Sequence, residues 1–140
     1  MNDENMSIIE FSEDIGEAEA PEPLPVGEYP ATIRAAEVKL SQRGTKYCAV
    51  TFVISPDEFP ADYPVENAPD GKVIIFRRVG LEDNPQARYM LRNFCEAIGA
   101  TPSKRIDVNE WMGLDATVNI EHDTYEGVTR EQITRVTEAA

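Results

Sequence analysis

The run Lys72-Val73-Ile74-Ile75-Phe76-Arg77-Arg78 places an aromatic ring among cations. In a strand, residues two apart share a face, so Lys72, Ile74, Phe76 and Arg78 stand together. An aromatic between two cations can stack a base and meet the phosphates on either side of it, which is the chemistry of single-strand nucleic-acid binding. The alternate set, Val73, Ile75 and Val79, is apolar and suits a core. Tyr47 offers a second aromatic, opposite in facing to Cys48, Val50 and Phe52, with Lys46 beside it. Lys39 and Arg43 lie at the preceding turn, and Tyr125, Arg130 and Arg135 extend the set toward the C-terminus. The simpler reading makes these solvated charges and puts Phe76 in the core.

Catalytic machinery is hard to find. The single histidine, His122, ends an apolar alternation, which suits a satisfied structural residue better than a base. There is no Gly-rich phosphate loop and no GxSxG. Asp57, Glu58, Asp62, Glu66 and Asp70 do not follow EF-hand spacing, and prolines interrupt them. No enzymatic activity, metal or cofactor is expected. Cys48 and Cys95 sit inside apolar patterns outside any CxxC pair, so both read as buried reduced thiols.

Five strands and a helix are needed to position the candidate residues. From Gly27, Tyr29, Ala31, Ile33 and Ala35 alternate with polar residues. The alternation then slips by one to Ala36, Val38 and Leu40, the mark of a β-bulge. Ser41-Gln42-Arg43-Gly44 is a turn with Gly44 suited to positive φ. Tyr47 to Ile54 forms the second strand. Ser55 to Gly71, rich in proline and acid, reads as a long irregular loop. Lys72 to Val79 is the third strand.

A helix follows, capped by Asn84, opened by Pro85 and closed by Gly99. Ala87, Met90, Leu91, Phe94, Cys95 and Ile98 recur on one stripe, opposite Arg88, Arg92 and Glu96. Arg88 and Arg92 either extend the basic surface or, more simply, pair with Glu96 and nearby acids. Asp107 caps a short turn ending at Gly113, with Trp111 packing the end of the domain. Leu114 to His122 is the fourth strand, Asp123 to Gly127 a turn, and Val128 to Val136 the fifth strand. Three strands, a helix and two strands give a mainly β chain: a five-stranded OB-like barrel with the helix between strands three and four.

The 140 residues carry a net charge of −13. Residues 1–26 hold eight acids and no Lys or Arg; the rest holds 18 acids and 13 bases. This divides the chain into an acidic, flexible N-terminal tail over 1–26 and a barrel over 27–140. Ile8, Ile9 and Phe11 form an apolar island in the tail, either a docking segment or a piece that packs on its own domain. The acidic total argues against coating duplex DNA by bulk attraction and leaves room for a local basic groove. The start of the chain has no basic or apolar leader, and no apolar run approaches the ~18 residues of a membrane span, so a cytoplasmic location without membrane contact is expected.

The sequence resembles a set of phage-encoded single-stranded-DNA-binding proteins with an OB-type fold, found among phage replication genes. The resemblance runs from Leu24 to Val136. It is carried by Leu24-Pro25-Val26-Gly27-Glu28-Tyr29, Ala36-Glu37-Val38-Lys39, Gly44, Phe94-Cys95-Glu96-Ala97-Ile98-Gly99, Trp111-Met112-Gly113 and Tyr125-Glu126-Gly127. It implies sequence-nonspecific binding of single-stranded DNA in replication or recombination, in the host cytoplasm. Phage or host replication proteins would be partners through the tail, and self-association would be compatible. Acidic tails of such proteins are typically C-terminal, whereas this one is N-terminal. Two other readings stay open: an acidic protein-interaction module acting as a DNA mimic or host-enzyme inhibitor, and a virion structural protein.

Overall fold

A computed structural model describes residues 7–140. Asp3 and Glu4 of the acidic tail lie outside the described residues. The chain runs β1 (Gly27–Leu40), β2 (Lys46–Ile54), β3 (Val73–Gly80), α1 (Pro85–Ile98), β4 (Asp115–Tyr125) and β5 (Val128–Glu138). The strands form one antiparallel sheet in the order β3-β2-β1-β4-β5. No ladder joins β3 to β5, so as a hydrogen-bonded sheet it is open. One side-chain bond spans that gap: Arg77 Nη1 donates to the Ile133 carbonyl at 2.6 Å.

The slip expected between Ala35 and Ala36 comes earlier, as a register shift between Ile33 and Ala35, so Ala35 is exposed rather than core-facing. It lets β1 serve two neighbours, pairing with β4 through Gly27–Thr32 and with β2 through Thr32–Leu40. A second shift lies between Asn119 and Ile120 in the β4–β5 ladder. Gly44 takes φ 81°, as its turn demands. β4 continues past His122 to Tyr125, and the turn shrinks to Glu126-Gly127 with φ 51° and 80°. Two residues at positive φ suit a type I′ hairpin, so the expected five-residue turn was too long.

The core is built from Ile33, Val50, Phe52, Ile54, Val118 and Ile120 of the sheet, closed by α1 and Trp111. The Asn84 side chain accepts from the Ala87 amide at 2.9 Å, and Pro85 opens the helix. The buried stripe is Phe94, Cys95, Ala97 and Ile98, with Leu91 partly buried. Met90, expected in that stripe, is 61% exposed. Arg92 pairs with Glu96 at 3.5 Å and Arg88 with Asp83. Trp111 packs on Phe94, their ring centres 5.4 Å apart. Cys48 and Cys95 are free and buried, and burial pushes both thiols up.

The segment Ser55 to Gly71 has no strand but is not featureless. It folds into three single 3-10 turns, Pro56–Glu58, Val65–Asn67 and Pro69–Gly71, and buries Tyr63 and Ala68.

The core also reaches back to Leu24, which is 0% exposed. The strap around it, Ala20–Pro25, is held through its backbone. The Leu24 amide donates to Glu131 Oε2 at 2.8 Å, and His122 Nε2 lies 2.7 Å from the Leu24 carbonyl. A carbonyl can only accept, so Nε2 carries the proton. The Tyr63 hydroxyl donates to the Glu22 carbonyl at 3.0 Å and the Tyr29 hydroxyl to the Pro25 carbonyl at 2.8 Å. Upstream of the strap, Ile8, Ile9, Phe11 and Ile15 are exposed, so the apolar island does not pack on its own domain. The described residues contain no helix long and apolar enough to cross a membrane.

The two tyrosines make the strap sensitive to alkali. Burial first, and nearby acids second (Asp62 for Tyr29, Glu131 for Tyr63), raise both phenols above their ordinary value. The folded state therefore favours the neutral, donating form. That stability is fully present below the unfolded tyrosine value and is lost as pH rises through the folded one. Urea unfolding at about pH 8 and about pH 11 checks this against the ordinary tyrosine pKa of ~10. The wild type should lose stability across that interval, and the Tyr29→Phe, Tyr63→Phe double variant should lose less.

Candidate nucleic-acid interface

Strand register brings four of the sequence candidates onto one face. Lys39 of β1 stands opposite Tyr47 of β2. Glu37 pairs with Ala49, which pairs with Arg78 of β3; Ala35 pairs with Thr51, which pairs with Phe76. Because cross-strand partners share a face and facing alternates along each strand, Lys39, Tyr47, Phe76 and Arg78 point away from the core together. The opposite parity holds Cys48, Val50, Phe52, Val73, Ile75 and Val79, all buried.

Phe76 is 72% exposed, which overturns the core reading of that residue. Leaving a phenylalanine in water forgoes roughly 1.5–3 kcal/mol of burial. The Arg78 guanidinium carbon lies 3.7 Å from the centre of the Tyr47 ring. A cation over an aromatic face contributes about 0.5–1 kcal/mol at an exposed site, enough to pre-orient both groups. Glu37 sits within the patch, 3.8 Å from Lys39 Nζ, and tempers its charge.

A second grouping lies where β3 approaches β5. A cleft of about 520 Å³ is lined by Lys72, Ile74 and Phe76 on one side, Thr129, Arg130 and Glu131 on the other, and the strap residues Ala20–Pro23. Lys72, Phe76 and Arg130 meet here, so Phe76 belongs to both the face and the cleft. Arg43 is exposed at the tip of the β1–β2 hairpin, beyond Lys39.

Three candidates stand apart. Lys46 pairs with Leu40 and has the facing of Cys48, away from Tyr47. Tyr125 is 74% exposed at the tip of the β4–β5 hairpin, opposite Val128. Arg135 pairs with Asn119, which pairs with Glu28, in the half of the sheet beyond the β1 bulge. His122 holds the strap through Nε2.

Sequence reading missed Asn67, which lines the cleft from the long loop, and the strap that walls it. It also missed Arg77, although a signal was there: a cation between Ile75 and Val79 on the core-facing parity of β3 must find a partner, and it finds the Ile133 carbonyl. Among the described residues, no three His, Cys, Asp or Glu side chains are grouped to hold a metal ion. No protein-family model and no curated protein matches the chain.

Proposed function

We propose that this chain is a non-enzymatic, OB-type binder of single-stranded DNA, serving phage replication or recombination. The strand would lie across the outer face of β1, β2 and β3. The OB reading draws support from the sheet order and from the approach of β3 to β5, which sets the two edges of the sheet side by side. The observation that carries the function is the exposed Phe76 ring beside the Tyr47–Arg78 stack, on a face that also holds Lys39. Bases stack on the rings and phosphates meet the cations without reference to base identity.

The test is a titration of labelled oligo-dT at two salt concentrations, with duplex of equal length as control. Single strands release about 0.7 counterions per neutralised phosphate. Engagement of Lys39, Lys72, Arg78 and Arg130 therefore gives a log–log salt slope of about −2.8. Duplex binding equal to oligo-dT binding, or affinity indifferent to salt, would count against the reading. An acidic protein-interaction module is the second reading, and the exposure of Asp57, Glu58, Asp62, Glu66 and Asp70 favours it. Capture of a basic protein partner without any oligonucleotide binding would select it.

A further inference from the structure

We infer that the cleft between β3 and β5 seats one unstacked base of the bound strand, giving an otherwise base-blind groove a single point of discrimination. This rests on the single-strand reading above and goes further, because it assigns the cleft a ligand and a separate role.

β3 is the last strand of the sheet on that side. A nucleic-acid strand crossing Tyr47 and Arg78 reaches the edge of the sheet at Phe76, where the cleft begins. The next base meets the gap between β3 and β5 rather than a continuous strand face. The cleft's volume, about 520 Å³, falls within the ~300–1,000 Å³ typical of small-ligand sites.

Its lining sorts the parts of a nucleotide. Ile74 and the rings of Pro21 and Pro23 offer flat apolar contact for a base. Asn67 is half-buried, and its carboxamide has no hydrogen-bond partner among the described residues. A carboxamide both donates and accepts, which is what a base edge requires. Lys72 and Arg130 also line the cleft, one on the β3 side and one on β5, and offer cations to the phosphates on either side of an inserted base. Glu22 and Glu131 line the same cleft and repel a phosphate within it, so the uncharged base enters and the backbone stays out. The wall is set before binding, because the strap accepts hydrogen bonds at Glu22, Leu24 and Pro25 from Tyr63, His122 and Tyr29 and donates one from the Leu24 amide to Glu131. Little ordering is then left for the ligand to impose.

The experiment uses the full chain and the shortest oligo-dT that binds, with a single abasic site walked along it. One position should lose about tenfold in affinity, as expected for a stacked base, and its neighbours clearly less. Asn67→Ala should flatten that position while leaving the salt slope unchanged. Ala20→Trp narrows the cleft from an exposed position on the strap. It should flatten the same position even if the Asn67 variant folds poorly. A uniform walk in the wild type, or a sharp position untouched by both variants, overturns the base site and leaves single-strand binding standing. Absence of binding to any oligonucleotide overturns both.

Discussion

Replacing Phe76 with alanine should weaken oligo-dT binding about 5- to 150-fold without changing the melting temperature. The range follows from the ~1–3 kcal/mol that a stacked base contributes. The ring is 72% exposed, so its removal opens no cavity in the core. It carries no charge, so the salt slope should hold. Arg78→Ala should behave differently: affinity falls and the slope becomes shallower by about 0.7, the mark of one lost phosphate contact. Part of that loss is offset, because Tyr47 is uncovered when the guanidinium above it goes. Arg78→Lys should restore the slope but not the full affinity, since an ammonium keeps the charge and loses the planar stack. Anisotropy titrations at two salt concentrations separate the three variants. If Phe76→Ala and Arg78→Ala both bind as the wild type does, the outer face of β3 is not the interface.

Where the N-terminal segment is cut should matter as much as whether it is cut. Removing residues 1–19 takes away seven of the eight acids of that segment and leaves the strap. That truncation should keep the melting temperature and bind oligo-dT more tightly, most visibly at low salt where charge repulsion is least screened. Removing residues 1–26 also takes Leu24 and the backbone groups held by Glu131, His122 and Tyr63. Loss of a fully buried leucine side chain alone costs about 2–5 kcal/mol, a large share of a total that is roughly 5–15 kcal/mol. The melting temperature of the longer deletion, or of Leu24→Ala in the full chain, should therefore fall on the order of 10 °C. Thermal denaturation of the three proteins decides it. An unchanged melt for the 1–26 deletion would show that the strap is no part of the stable fold. Equal oligo-dT affinity before and after the 1–19 deletion would remove the acids from any role in binding.

Much of the architecture was legible because it is written in local patterns. The broken alternation near Ala35 signalled a bulge in β1, which lies just before it between Ile33 and Ala35, and Asn84-Pro85 with Gly99 marked both ends of α1. Alternation through Val73, Ile75 and Val79 gave the facing of β3, and with it the exposed side of Phe76. The strap was not legible for a physical reason. Its proline-rich, acidic sequence has no period, and it is held by its own backbone groups, which are the same in any sequence. Its partners Tyr63, His122 and Glu131 lie 41, 98 and 107 positions away from the residues they hold. The scatter of the candidate site has a related cause. A shift of one residue reverses the facing of everything beyond it. The irregularity at Asn119/Ile120 therefore decides the placing of Arg135 and Arg130 on β5, and no single-residue property announces it.

The bond from Arg77 to the Ile133 carbonyl has a consequence for how the chain behaves in a crowd. β3 and β5 are the two free margins of the sheet, and each presents unpaired amides and carbonyls that a neighbouring molecule could extend into a fibre. By turning the margins toward each other and tying them with one guanidinium, the fold uses each edge to shield the other. One arginine on the core side of β3, with the core residues of both strands, thus ties the sheet's two margins to each other.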